Sequence, residues 1–263
     1  MIKTYHEAPK SIFKRVQTLT DGDYALVNLF DDEEYFKQFD PTKRDVILDN
    51  GVFELGTAFD SDVFAKWVAK LQPTWYIVPD VLEDGEATIE RFMEFISQYP
   101  DLPGKVIGVA QGKNYDDFVK CYKALEPYCE KIGISFDCSW YREGVYETNP
   151  WLQLAGGRIR TLIKMDDDGI INRNKPHHLL GVSVPQEMMH YRIFQKSGSF
   201  EWVDSVDTSN PVVHGLKGIQ YSSSGLMRKE SQKLFTMINS EVSAEQWDTI
   251  EHNIVEFRRF CNG

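Results

Sequence analysis

Three aspartates and a glutamine fall where short apolar runs end. Asp49 closes VILD, Asp80 follows WYIVP, Gln111 follows KVIGVA, and Asp204 sits in WVDS. Alone, each carboxylate reads as the N-cap of a following helix or as an Asx-turn. Three of them with a carboxamide, all at run ends, read better as one shared site. Gathered carboxylates repel one another, so at least one is expected to hold its proton more tightly than usual. One carboxylate can then attack as a nucleophile while another handles protons. Other polar clusters carry less. His177 and His178 are adjacent, and adjacent strand residues face opposite ways, which argues against a metal pair. Asp166-Asp167-Asp168 reads as a solvated acidic loop, and Lys113-Asn114-Tyr115 as a turn followed by a helix cap. Trp140 and Tyr141 follow the run that ends at Ser135 and are expected near the same mouth. Cys121, Cys129, Cys138 and Cys261 make no CxxC or CxC pair, so free thiols are expected and no metal or cofactor is assigned.

Such residues need elements to bring them together. Apolar runs predict strands over 24–30, 45–49, 75–79, 105–110, 131–136, 178–183 and 201–206. Amphipathic stretches predict helices over 61–71, 86–98, 115–125, 149–164, 185–196, 225–239 and 244–260. Gly156-Gly157 is expected to interrupt the fourth of these. Strands alternating with helices imply βαβ units and a parallel sheet. No GxGxxG follows the first strand, which disfavours an open dinucleotide-binding sheet. The expected fold is therefore a single-domain (β/α)8 TIM-type barrel over 1–263, with 222–263 as C-terminal helices. In such a barrel all strands end at one mouth, where active sites lie.

The 263 residues suffice for one such barrel. Lys and Arg number 29 against 40 Asp and Glu, a net charge of −11, which speaks against tight non-specific binding to nucleic acid. The first sixteen residues contain no apolar core of a signal peptide, and no run of 18 apolar residues exists. A cytoplasmic setting without a membrane partner is expected.

Five segments, in order, resemble the tRNA-guanine transglycosylase superfamily. They are VILDNGVFELG, VIGVAQGKNYDDFVKCYKAL, KIGISF, LLGVSVPQEMM and EWVDSVDTSNP, spanning about 46–211. The chain also resembles short phage-type DNA deazapurine transglycosylases, for which the setting would be a host cytoplasm. The resemblance implies that Asp204 is the nucleophile, which attacks the anomeric carbon and displaces a purine. It implies that Asp49 handles protons and that Asp80 and Gln111 read the purine edge. Backbone at Gly112 and Gly133 adds hydrogen bonds, Phe53 stacks on the base, and Leu180 covers its other face. Asp207 joins this substrate-binding set.

The chain departs from the family at several points. The zinc-binding CxCxxC cluster is absent, Asn50 stands for a serine, Val52 for a glycine, and few basic residues follow Asp204. Exchange of guanine for a 7-deazaguanine derivative is then expected in DNA rather than tRNA, with a free purine or deazapurine as second substrate. A small-substrate nucleoside or glycosyl hydrolase using the same aspartates, and a non-catalytic accessory subunit, are the alternatives. A homo-oligomer or partner subunit is compatible with either.

Overall fold

The computed structural model describes residues 1–136, 138–230 and 232–263. The chain runs β1 (Lys3–His6), α1 (Phe13–Gln17), β2 (Gly22–Leu26), α2 (Glu33–Phe36), β3 (Val46–Asp49), α3 (Val52–Leu55), α4 (Ser61–Leu71), β4 (Trp75–Ile77) and α5 (Gly85–Gln98). It continues β5 (Lys105–Ala110), α6 (Tyr115–Leu125), β6 (Lys131–Ile134), α7 (Pro150–Asp167), β7 (His177–Leu179), α8 (Glu187–Lys196), β8 (Val203–Asp207), α9 (Asn210–Leu216) and α10 (Ala244–Asn262). The eight strands are parallel and close on themselves in chain order, a TIM-type barrel. Closure comes through β1 and β8, where Tyr5 faces Asp207.

The caps follow the sequence. Asp60, Asp84 and Asn114 accept the early backbone N–H groups of α4, α5 and α6. Ser243 and Gln246 form a reciprocal capping box on α10. The far end of α10 is tied to β1, because Asn262 accepts from Ile2 N and donates to Ile2 O. Among the described residues no helix is long and apolar enough to cross a membrane. All four cysteines are buried, and none is joined in a disulfide.

Three expectations are corrected. The first strand, KTYH, is too short and too polar to stand out as an apolar run, yet three of its four residues are buried. The described residues of 225–239 form no helix apart from a 3-10 turn at Leu234–Met237. Side chains from elsewhere pair with its backbone at Leu226, Met227 and Glu230 instead. Gln186 pairs with both Leu226 N and Leu226 O, Asn149 donates to Met227 O, and Glu230 N donates to His214 Nε2. Nor do the glycines interrupt α7, which is continuous. Gly157 is there for close approach. A Cβ at 157 would collide with the carbonyl of Tyr141, whereas one at 156 would meet Val145 Cγ1 at 3.4 Å. Gly157→Ala is therefore expected to destabilise by about 2–3 kcal/mol through overpacking. Gly156→Ala is expected to gain up to about 1 kcal/mol of helix propensity. Urea unfolding of the two variants checks this, and equal shifts would contradict it.

Candidate active site

The C-terminal ends of the strands surround a cavity of about 370 Å³. Glu7 enters it just after β1, Asp49 from the end of β3, Asp80 beyond β4, and Gln111 directly after β5. Leu180, Gly181 and Val182 line it after β7, and Asp207 from the end of β8. Ile77 and Val109 add apolar wall, and Phe53 stands half-exposed at the mouth. The segment after α9 crosses above and contributes Lys229, Glu230, Lys233 and Leu234. Asp49, Asp80, Gln111, Phe53, Leu180 and Asp207 are thus brought together.

Asp204 is not among them. It lies at the opposite end of the barrel, in an ion pair with Lys131, the first residue of β6, at 2.9 Å. The pairing of β7 with β8 explains this. His177 faces Val203 but His178 faces Ser205, so Asp204 is the extra residue of a bulge. Asp207 lies three residue steps beyond Asp204, about 10 Å along β8. The position at the mouth belongs to Asp207. Gly112 and Gly133 do not line the cavity either. A Cβ at Gly112 would strike the backbone of Phe118, so this glycine admits the start of α6. Gly133 leaves room for Leu180 and Val109, whose methyls a Cβ would approach at 3.1 and 3.2 Å. Trp140 and Tyr141 pack on Phe118 rather than facing the cavity.

The carboxylates differ in how they are held. Asp80 is pinned on both oxygens, by Asn50 Nδ2 at 2.7 Å and Gln111 Nε2 at 2.7 Å. Asn50 also donates to Val78 O and accepts from Val52 N. Gln111 Oε1 accepts from Glu83 N. Asp80 and its two carboxamides therefore form a fixed edge. Asp49 accepts from Tyr24 OH at 2.9 Å and Gly51 N at 2.8 Å. Asp207 is held on one oxygen only. Its Oδ1 takes His178 Nε2 at 3.0 Å and Gly181 N at 3.1 Å. Its Oδ2 has no hydrogen-bond partner among the described residues. No family model matches the chain, and no curated protein matches it.

Burial pushes Asp49 well above the usual carboxylate range, and the nearby Glu54 adds to this. Burial does the same to Glu7, with help from Glu54, Asp207 and Asp49. Asp80 is raised by burial, against the pull of its two amide donors. Glu54 is raised from 4.5 to about 7, again chiefly by burial. Its Oε2 is buried without a partner among the described residues. A carboxyl whose folded pKa exceeds its unfolded one holds a proton that the unfolded chain has released. Its effect on stability is nil at low pH and unfavourable as pH rises through the window between the two values. Stability is thus expected to fall between about pH 4.5 and 7, and Glu54→Gln to flatten part of that fall. Denaturant midpoints measured at several pH values test this, and identical slopes in the two proteins would count against it.

Sequence reasoning missed Glu7, Tyr24, Glu54 and His178. The alternation of faces at His177-His178 was the available signal for the last. His177 points outward, between Tyr122 and Trp202, while His178 points into the barrel. Asn50 takes on meaning as the residue that orients Asp80. Among the described residues no group of three His, Cys, Asp or Glu is arranged to hold a metal.

Proposed function

We propose that this barrel is a base-exchanging glycosyltransferase with Asp207 as nucleophile. The observation that carries the reading is the asymmetry of Asp207. One oxygen is aimed by two donors, and the other is left for a substrate carbon. A carboxylate so held can attack the anomeric carbon of a nucleoside unit, expel its base, and form a glycosyl-enzyme. A second base then attacks and releases Asp207. The resemblance to tRNA-guanine transglycosylases points to the same chemistry, with the nucleophile three residues further on.

The remaining residues fit that reaction. Asp49, whose carboxyl burial pushes well above the usual carboxylate range, is the group to supply a proton to the leaving purine and recover one from the incoming base. The Asn50–Asp80–Gln111 edge offers fixed groups to the edge of a purine. Leu180, Val109 and Phe53 give the faces of a flat base apolar cover. A cavity of about 370 Å³ is near the lower end of small-ligand pockets, roughly 300–1,000 Å³, and suits one nucleoside unit. A base within a duplex would have to be flipped out to enter.

The mouth supports a polynucleotide despite the overall charge. Arg142, Lys229 and Lys233 line the cavity, and phosphates next to an inserted nucleotide would meet them. DNA is favoured over tRNA, with guanine and a 7-deazaguanine derivative as the bases exchanged. One observation favours a small substrate instead. Lys233 donates to the carbonyls of Phe53 and Glu54, which draws the crossing segment over the mouth. Incubation with labelled guanine and with 7-deazaguanine bases, against DNA, tRNA and free nucleosides, separates the readings. Label in DNA supports the proposal. Base released only from nucleosides supports a hydrolase, and no reaction with any of them overturns both.

A further inference from the structure

Asp207 is connected to the far end of the barrel by an unbroken line of hydrogen bonds. His178 Nε2 meets Asp207 Oδ1 at 3.0 Å, and His178 Nδ1 meets Ser205 Oγ at 2.9 Å. Ser205 Oγ in turn lies 2.8 Å from Asp204 Oδ1 and 3.0 Å from Lys131 Nζ. Lys131 closes the line on Asp204 Oδ2 at 2.9 Å. Tyr5, from β1, meets the His178 ring edge-on. His178 and Ser205 are fully buried, whereas the side chain of Asp204 is 32% exposed. We propose that His178, Ser205 and the Lys131–Asp204 pair form a proton relay along the barrel core that sets the protonation of Asp207 from the opposite face.

The proton inventory gives the relay its direction. Ser205 has one hydroxyl proton. A carboxylate is the stronger acceptor, so that proton goes to Asp204. His178 Nδ1 must then donate to Ser205 Oγ. A neutral ring with its proton on Nδ1 presents a lone pair at Nε2. That lone pair would face a carboxylate oxygen, and two acceptors do not sit 3.0 Å apart without a proton between them. The His178–Asp207 pair therefore holds a second proton. It can leave in a balanced shift. The Nδ1 proton passes to Ser205 Oγ as the hydroxyl proton passes to Asp204 Oδ1. The His178–Asp207 pair is then one proton poorer and the Asp204–Lys131 pair one richer, with Asp204 open to solvent. The bulge at Asp204 makes this possible, because it sets Asp204 and Ser205 side by side under His178.

The relay's use in glycosyl transfer rests on Asp207 being the nucleophile, but the relay itself does not. Long-range proton–nitrogen spectra of the full chain labelled with 15N-histidine test it, with His178→Gln identifying the signal. The wild type is expected to show a protonated Nδ1 on His178. Asp204→Ala frees the Ser205 hydroxyl to donate to His178, so Nδ1 is expected to become a bare, pyridine-like nitrogen with the proton on Nε2. Ser205→Ala is expected to have the same effect while keeping the Lys131–Asp204 pair, and it serves if Asp204→Ala does not fold. A bare Nδ1 in the wild type, or a protonated Nδ1 in the variants, overturns the relay. Base exchange is assayed on the same samples. An active chain with an unmoved tautomer defeats the relay alone, and a moved tautomer in a chain that exchanges no base defeats the glycosyl-transfer reading alone.

Discussion

Asp207→Asn is expected to lower base exchange by about a million-fold, the scale seen when a nucleophile is removed and only binding and positioning remain. The side chain keeps its shape, and its Oδ1 can still accept from Gly181 N. What disappears is the charge that forms the glycosyl bond. Asp204→Asn, three residues earlier in the same strand, is expected to stay within about tenfold of wild type at optimal pH. Its side chain is outside the cavity and pairs with Lys131 instead. Steady-state exchange rates for the two variants provide the check. If Asp204→Asn were the inactive one, the assignment of the mouth residue would be wrong.

The second large effect is on stability. Arg158 of α7 and Glu187 of α8 are both fully buried and paired at 2.8 Å. The guanidinium also donates to Leu180 O and Gly181 O, each at 2.8 Å. It thus fixes the loop whose Gly181 N–H holds Asp207 and whose Leu180 lines the cavity. Removing one member of such a pair strands the other charge in a dry interior. Arg158→Met is expected to cost about 3–5 kcal/mol. For a chain of this size that lowers the midpoint of thermal unfolding by roughly 10 °C. Adding Glu187→Met is expected to restore much of the loss, because no buried charge is then left unpaired. A double variant no more stable than Arg158→Met alone would show that the carbonyl contacts, not the ion pair, dominate.

Much of the barrel could be read from the chain because burial sets sequence patterns. The run over 105–110 appears as β5 unchanged, and the helices expected at 61–71 and 115–125 match α4 and α6 at both ends. β1 escaped notice because four residues with a polar start give too little pattern. The helix expected over 225–239 failed for a different reason. Leu226, Leu234 and Ile238 have helix-like spacing and are buried, but distant side chains bind the backbone there.

Within the site, Asp49, Asp80 and Gln111 were readable because strand-end position alone places them. Asp204 and Asp207 were not distinguishable in this way. Both belong to VDSVD, and the choice depends on a bulge against β7 that leaves no mark on composition or periodicity. Glu7 was hidden with the strand that carries it. Glu54 lies in the short turn of helix after β3, where nothing in the sequence tells an inward carboxylate from a solvated one.

The most direct test of the central claim is to trap the glycosyl-enzyme and locate it. The full chain is mixed with DNA and a free base, denatured, digested with nuclease and protease, and mapped by mass spectrometry. The expected result is a sugar-phosphate adduct on Asp207, absent from Asp207→Asn and present in Asp204→Asn. An adduct on Asp204 or Asp49, or its persistence in Asp207→Asn, would contradict the account.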